Sequence, residues 1–305
     1  MNIVNKRLWY FLVVGLVSII FIIALATQGL NRGVDFQAGT QLTIKFDQSV
    51  TKDQLVSALN DLNYKNAAVS LSSAGHYYVQ MQQITQAETD QLKTDLTAKL
   101  GNLQLSYESV PQNIASESLR NAVIAVIIAI VGMLIYIAFA FRKMPSPFRY
   151  GACAVIGLAF DILVTLGVYS IMGAILGWSI DLMFVAGILA VLGYSINNTI
   201  IVFDRIRENT HRGVSTDIEV VANASVVETL GRSFNSSLTV LFTLFVLLIF
   251  VGSSIQNFVI VLIIGTISGT LTSTFLSPEL LVAWQKKSWG TFSGKSSEGT
   301  AKIKA

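Results

Sequence analysis

The sequence predicts a polytopic α-helical membrane protein that combines six transmembrane helices with one extracytoplasmic α+β ferredoxin-like domain. Hydrophobic residues make up 52% of the 305 residues and charged residues only 13%, whereas soluble domains average roughly 25% charged residues. Six apolar runs are long enough to cross a bilayer core of about 30 Å as helices. The long polar segment after the first run instead changes between the periods of strands and helices.

The six apolar runs are the predicted membrane spans. They cover residues 8–26, 121–141, 148–172, 182–203, 233–251 and 258–284. The first run follows Lys6 and Arg7 and is longer than the apolar core of a signal peptide, so we expect an uncleaved anchor. A signal peptide cleaved near residues 24–26 is the alternative.

Basic residues of the short connections set the predicted orientation. They fall on alternate connections, and such residues mark the cytoplasmic side of a membrane. We therefore expect both termini in the cytoplasm and the polar segment outside it. The basic residues concerned are Lys6, Arg7, Arg142, Lys143, Arg149, Arg205, Arg207, Arg212, Lys286 and Lys287.

The polar segment has the pattern of one small α+β domain. Thr51 with Gln54, and Thr85 with Glu88, have the spacing of capping boxes that open two helices. The predicted strands are residues 41–47, 67–71, 76–82 and 103–108. The resulting order β-α-β-β-α-β is typical of ferredoxin-like folds. The predicted domains are 1–29 (first span with a cytoplasmic N-terminus), 30–118 (ferredoxin-like domain), 119–284 (the other five helices) and 285–305 (a disordered cytoplasmic tail).

Composition disfavours several other classes of function. A net charge of +3 is too small to indicate a nucleic-acid partner. The single cysteine, Cys153, lies in an apolar run and is interpreted as core filler. His76 has no cysteine or second histidine nearby, so neither a metal nor another cofactor is expected. No histidine lies in a span, which disfavours an intramembrane hydrolase, and the chain is predicted not to be an enzyme.

The span at 182–203 carries the polar residues Asn197, Asn198 and Thr199. A carboxamide that faces lipid loses its hydrogen bonds to water without replacement, so we expect all three side chains to face other helices. Dense charge from residue 204 to residue 208 marks the point where this helix leaves the membrane.

Asp161 is the acidic residue predicted deep inside a span, near the middle of residues 148–172. A charged side chain at that depth costs about 2.5–3.5 kcal/mol on insertion scales. We therefore expect Asp161 either to stay protonated or to face a polar partner, and it is a candidate for function. A neutral carboxyl that merely joins helices is the structural alternative.

Three stretches carry a resemblance to a known family. They read GVDFQAGT at 33–40, AFDILVTLG at 159–167 and GYSINNTIIVFDRIREN at 193–209. Together they closely resemble SecF, a family of protein-export membrane subunits related to RND-type transporters, and the similarity extends to about residue 284. The motif residues are Gly33, Asp35, Gly39, Thr40, Gly193, Tyr194, Asp204, Arg205 and Arg207.

The resemblance implies a multi-pass protein of the bacterial cytoplasmic membrane with a transport role. SecF proteins pair with SecD, and the pair helps a translocating preprotein to leave the SecYEG channel by using the proton gradient. Membrane lipids would surround the spans. An RND-related exporter of lipids or small molecules is the alternative function.

The sequence departs from the family pattern at two positions. Asn198 stands where the family has a proton-linked aspartate, and Phe160 stands where a histidine is usual. Because an amide cannot titrate, three alternatives follow: Asp161 carries the proton, SecD does, or coupling is impaired.

Arg232 matches the family's arginine at the start of the fifth span and could hold a carboxylate ionised. An arginine that only snorkels to the headgroups would give the same sequence pattern. The candidates for proton coupling are Asp161, Asn198 and Arg232, supported by Asn197 and Thr199.

Small residues predict close contacts between helices. Gly265, Gly269 and Ser273 recur one turn apart in the last span, and Gly157 lies one turn before Asp161.

Three local features complete the prediction. Asp35 is expected to cap the turn formed by the glycines at 33 and 39. Residues 218–226 are expected to form either a short amphipathic helix at the cytoplasmic membrane surface or a solvated connection. Pro278 is expected to kink or end the last span.

Overall fold

The computed structural model describes residues 7–286, except 34, 65–66, 72–74, 145 and 251–252. Its elements follow in this order: α1 (Arg7–Thr27), β1 (Gly39–Phe46), α2 (Lys52–Asp61), β2 (Ala68–Leu71), β3 (Tyr77–Met81), α3 (Gln86–Leu100), β4 (Leu103–Val110), α4 (Gln112–Ala140), α5 (Pro147–Leu176), α6 (Leu182–His211), α7 (Ile218–Phe250), α8 (Ser253–Leu271), a π turn (Thr272–Leu276) and α9 (Ser277–Lys286). The predicted tail from residue 287 onward lies outside the described residues.

Six helices in this part of the chain are long and apolar enough to cross a membrane. They are α1, α4, α5, α6, α7 and the continuous run of α8, the π turn and α9. The prediction of six spans is confirmed, and the chain is a multi-pass membrane protein.

The segment between α1 and α4 folds into a four-stranded antiparallel sheet with two helices. The strand order is β2-β3-β1-β4, so β1 pairs with both β3 and β4. Leu42 and Ile44 of β1 are fully buried in one cluster with Leu55 of α2 and Leu96 of α3. Burying an aliphatic side chain contributes roughly 1.5–3 kcal/mol. This cluster therefore holds both helices on one face of the sheet, and the predicted order of elements is confirmed. We call this unit the sheet domain.

Both predicted capping boxes are present in the sheet domain. The backbone N–H of Thr51 donates to Gln54, and that of Gln54 donates to the Thr51 hydroxyl. Thr85 and Glu88 form the same pair of bonds, and these hydrogen bonds lower the pKa of Glu88. The caps satisfy N–H groups that have no partner within the helix, so they fix where α2 and α3 begin.

The spans differ in how much of their surface the chain itself covers. α5, α6 and the sixth span are the most buried, whereas α1, α4 and α7 expose much of their apolar surface. At the end of the bundle opposite the sheet domain, the rings of Phe141 and Tyr150 stack at 5.2 Å, and Phe203 packs edge-on against both. Lipid or a partner helix is the natural cover for the exposed apolar faces.

Two local predictions differ from the structure. α7 is continuous from Ile218, and Val221 and Val226 are buried in the core of the bundle. The prediction of a separate surface helix is therefore wrong, because its apolar stripe packs on the protein itself. Pro278 does not end the last span, since α9 continues past it. Pro278 has no N–H, and just before it the ladder shifts so that Ser277 N–H donates to Thr272 O, which forms the π turn.

Candidate functional site

Asp161 lies about midway along α5 and is completely buried. Three hydroxyl groups from two other spans surround its carboxyl group. The Ser195 hydroxyl of α6 lies 2.6 Å from Oδ2. Those of Ser268, at the end of α8, and Thr272, in the π turn, lie 2.6 and 2.7 Å from Oδ1. We call these three residues and Asp161 the hydroxyl cage.

Close packing of the helices makes the hydroxyl cage possible. A Cβ atom at Gly269 would lie 2.9 Å from the Cβ of Ser195, and one at Gly157 would lie 2.9 Å from the Cγ2 of Thr272. A Cβ at Gly265 would collide with Val191. Real side chains do not approach this closely, so glycine lets the backbones of α5, α6 and α8 meet. The close contacts predicted from the glycine spacing are confirmed.

The hydroxyl cage can satisfy the carboxyl group in either protonation state. A hydroxyl both donates and accepts hydrogen bonds. All three can donate to a carboxylate, and one can turn to accept the proton of a neutral carboxyl. A buried carboxylate is costly without such partners. The geometry is therefore compatible with both protonation states of this buried carboxyl group.

Asn198 and Thr199 lie one turn beyond Ser195 on α6 and are buried, as the sequence predicts. The Thr199 hydroxyl donates to the Ser195 carbonyl oxygen at 3.1 Å. The Asn198 amide nitrogen has no hydrogen-bond partner among the described residues. An unsatisfied buried donor costs about 1–3 kcal/mol. Among the described residues, Asn198 is thus a buried polar position with an unsatisfied donor, one turn from Ser195 of the cage.

Two other candidates are not part of this site. Asn197 is exposed on α6 and Arg232 is exposed on α7. Among the described residues Arg232 forms no ion pair. No described span of this chain covers the α6 face that carries Asn197, so the expectation that Asn197 faces another helix stays a prediction that needs a partner chain.

The charged end of α6 carries ion pairs within the helix and one that reaches α7, between Arg205 and Glu228. Arg205 contacts Glu208 and Glu228, each at 2.5 Å, and Arg207 contacts Asp204 at 2.5 Å. These side chains are partly exposed, and such pairs contribute at most about 1 kcal/mol each. Their geometry fits a structural role. Tyr194 also joins the two helices, since its hydroxyl donates to Ser237 at 2.8 Å, whereas Gly193 is exposed.

The motif at 33–40 connects the sheet domain to the start of α6. Gly33 N–H donates to the Ile180 carbonyl at 2.7 Å, and a Cβ at Gly33 would lie 2.9 Å from that oxygen. Asp35 accepts from the backbone N–H of Leu182 at 2.9 Å. Asp35 therefore caps α6 and not its own turn, which corrects the prediction. We call the contact between residues 31–35 and 180–182 the junction.

Asp181 completes the cap of α6. It accepts from Phe184 N–H at 2.6 Å and from the Asn257 amide at 2.6 Å. Burial raises the pKa of Asp181 against the opposing effect of these hydrogen bonds. The junction thus joins the sheet domain, α6 and α8 through two carboxylates.

Gly39 and Thr40 hold the start of β1. Gly39 has φ +155°, and a Cβ there would lie 2.5 Å from the Met81 carbonyl oxygen. The Thr40 hydroxyl accepts from Ile84 N–H at 3.0 Å. Both residues therefore have roles in packing the strand.

Comparison with known proteins supplies the family. A family model described as protein export membrane protein SecD/SecF, C-terminal, matches residues 91–287, and one for the SecD/SecF GG motif matches residues 23–50. The chain belongs to the SecD/SecF family. The segment that matches the GG motif runs from the end of α1, through the junction residues that follow it, to just beyond β1.

Similar relatives cover nearly the whole SecF-type chain. Protein translocase subunit SecF of Thermobaculum terrenum is 38% identical, with 94% of each chain covered. The SecF of Anaerolinea thermophila is 33% identical, over 95% of this chain and 96% of the relative.

SecDF proteins are longer. Bacillus subtilis SecDF is 30% identical over 92% of this chain but only 38% of its own length. The crystal structure of SecDF from Thermus thermophilus superimposes with a TM-score of 0.85 at 26% identity, covering 94% of this chain and 39% of that one.

Sequence reasoning found Asp161 but missed the three hydroxyls around it. Ser195 lies within the motif at 193–209. Ser268 and Thr272 are one turn apart on the helix that carries Gly265 and Gly269. A face that combines small residues with hydroxyls was the available signal for this partner helix.

Proposed function

We propose that this chain is the SecF subunit of the Sec protein-export machinery. It would assist preprotein translocation across the bacterial cytoplasmic membrane together with SecD and the SecYEG channel, driven by the proton gradient. Similarity over nearly the full length to proteins named translocase subunit SecF supports the export role. The observation that supports the use of protons is the hydroxyl cage around Asp161.

We place the proton-binding step at Asp161. The residue matching the family's usual aspartate is Asn198, which cannot titrate, whereas Asp161 is an acid held between three spans. A change of its charge would alter the hydrogen bonds of α6, the π turn and α8 at once. The π turn interrupts the regular α-helical hydrogen bonds of the sixth span. Such turns are rare and often lie at functional sites.

We infer that the sheet domain is extracytoplasmic and ferredoxin-like. Its strand order and its two helices on one face support that fold. The basic residues Arg142, Lys143 and Arg149 lie at the opposite end of the bundle, which favours a cytoplasmic position for that end. The junction would transmit movements of α6 to this domain.

We propose that a SecD-type chain covers the outer faces of α6 and α7. The exposed face of α6 repeats small residues and ends in a carboxamide, and the exposed face of α7 repeats polar side chains within a span. Such faces favour another helix over lipid. They consist of Ala186, Ala190, Gly193 and Asn197 on α6, and Arg232, Ser236, Thr239 and Thr243 on α7. The fusion of both parts in SecDF relatives supports this partner.

Reconstitution tests the proton step. Proteoliposomes containing SecYEG, SecD and this chain should export more preprotein when a proton gradient is applied. Asp161→Asn should remove that increment and leave gradient-independent export, whereas the matched variant Asp204→Asn, at an exposed ion pair, should keep it. An increment that survives in Asp161→Asn would remove Asp161 from the mechanism.

Co-purification tests the partner face. Apart from the adjacent backbone of its own helix, a Cβ at Gly193 or at Gly132 of α4 would meet no described atom within 4 Å. Gly193→Leu should therefore leave the chain folded but reduce the SecD recovered with it by about tenfold, since overpacking costs about 1–3 kcal/mol. Gly132→Leu should recover as much SecD as the wild type. Equal losses in both variants would contradict the proposed face.

A further inference from the structure

A cavity of about 1170 Å³ lies between the sheet domain and the bundle. Its upper wall includes the sheet face that α2 and α3 leave open, represented by Gln41, Tyr78 and Gln80. Its floor is the end of α5 and the connection to α6. The junction bounds it, since the Gln80 side chain donates to the Arg32 carbonyl at 3.1 Å. The proposed export role does not use this cavity.

The charge of the lining has one sign. Arg32 and Lys52 line the cavity, and no carboxylate is found among the described lining residues. Among the described residues neither cation forms an ion pair. The nearby carboxylates of Asp35 and Asp181 cap α6. The rest of the polar lining is mostly carboxamide, from Asn31, Gln37, Gln41, Gln80 and Gln112.

The C-terminal end of α5 opposes an anion only weakly. A helix C-terminus carries about half a negative charge. One of its carbonyl groups, that of Gly173, already accepts hydrogen bonds from the Asn31 amide at 2.9 Å and from Gly177 N–H at 3.0 Å. Among the described lining residues, this partial negative charge is therefore set against the two full positive charges of Arg32 and Lys52.

Part of the cavity floor is apolar and is formed by the end of a helix long and apolar enough to span a membrane. Ile175 and Leu176 are the last residues of α5, a membrane span, and their exposed fractions are 68% and 45%. Apolar side chains in this position need acyl chains or a partner to cover them. The cavity thus joins a cationic polar wall to an apolar floor.

We propose that this cavity binds the headgroup of an anionic phospholipid. Arg32 and Lys52 contact its phosphate, the carboxamides bind its glycerol and headgroup hydroxyls, and its acyl chains descend along Ile175 and Leu176. The lipid is a resident ligand that fills the space between the sheet domain and the bundle.

An extended polypeptide fits the cavity less well. An extended peptide that adds to a sheet gains affinity by pairing its main chain with the edge of that sheet. This wall is the face of a sheet, where side chains and not main-chain groups are presented. The positive charges of Arg32 and Lys52 also would not raise the affinity for a polypeptide without net charge.

Lipid competition tests the proposal on the purified full-length protein in detergent. An equal mixture of phosphatidylglycerol and phosphatidylcholine with identical acyl chains is added, and native mass spectrometry measures the ratio of the two bound lipids. Near a membrane surface each basic residue changes the binding of anionic lipid about fivefold. The double variant Arg32→Gln/Lys52→Gln should therefore lower the preference for phosphatidylglycerol by roughly 25-fold.

Control variants separate charge from folding. Lys93→Gln, on the exposed face of α3, should keep the wild-type preference. Arg32→Lys/Lys52→Arg keeps both charges and should also keep it, and all variants should share one thermal midpoint. An unchanged preference in the double glutamine variant, or an equal loss in Lys93→Gln, would overturn the proposal.

Two competitors distinguish other ligands. Glycerol 3-phosphate should displace the lipid only at far higher concentration, because it lacks acyl chains. Displacement at equal concentration would make a soluble phosphate the ligand and overturn the proposed lipid. A neutral unstructured peptide should not displace phosphatidylglycerol, and displacement by it would assign the cavity to polypeptide.

Discussion

The two carboxylates that cap α6 should contribute unequally to stability. Asp35→Ala removes one exposed hydrogen bond to Leu182 N–H, and losing a cap costs about 1 kcal/mol. Asp181→Ala removes a cap of the same kind and also leaves the Asn257 amide without the acceptor that lies 2.6 Å away. The Asn257 amide is only partly buried and keeps the Ser179 carbonyl as an acceptor at 3.3 Å, so the lost hydrogen bond adds about 0.5–1.5 kcal/mol. We therefore expect losses of about 1 kcal/mol for Asp35→Ala and about 1.5–2.5 kcal/mol for Asp181→Ala.

Unfolding of the purified protein by sodium dodecyl sulfate, followed by tryptophan fluorescence, measures both free energies. Asparagine caps a helix about as well as aspartate. Asp35→Asn and Asp181→Asn should therefore retain most of the stability, and they control for loss of charge. Equal losses for the two alanine variants, or asparagine variants as unstable as the alanine variants, would refute the described junction.

Three further changes test separate parts of the structure by the same unfolding measurement. Gly269→Val should destabilise the protein by about 1–3 kcal/mol through collision with Ser195, while Gly132→Val, in open space, should not; equal effects would contradict the packing of α6 on α8. Thr272→Val removes one donor to Asp161 and should cost about 2 kcal/mol, but much less in an Asp161→Ala background; additive losses would mean that the two residues do not interact. Thr51→Ala should cost about 1 kcal/mol and Thr51→Ser almost nothing; an equally unstable serine variant would rule out the capping role of the hydroxyl.

Sequence patterns predicted those structural features that depend on residues close together in the sequence. The alternation of Leu42 and Ile44 identified a strand with one buried face, and Thr51 and Thr85 identified the starts of two helices. These signals are local because a strand repeats every two residues and a capping box spans one turn. The depth of Asp161 could also be predicted, since it requires only the length of its apolar run.

Partners that are distant in the sequence could not be predicted in the same way. Ser268 and Thr272 reach Asp161 across separations of 107 and 111 residues. Asp35 caps α6 across a separation of 147 residues. From the sequence alone, a cap of its own turn was the prediction, because that turn is nearer in the chain. Asn197 and Asn198 are adjacent, and only the packing of α6 decides that one is exposed and the other buried.

Titration of Asp161 in the assembled complex with SecD tests the central claim most directly. Infrared spectroscopy of the carboxyl group reports its protonation, and Asp161→Asn identifies the band that belongs to it. We predict a protonated carboxyl band that disappears as the pH rises while the protein remains folded. A band of Asp161 that stays constant throughout that range would show that the hydroxyl cage holds a fixed structural group and carries no proton.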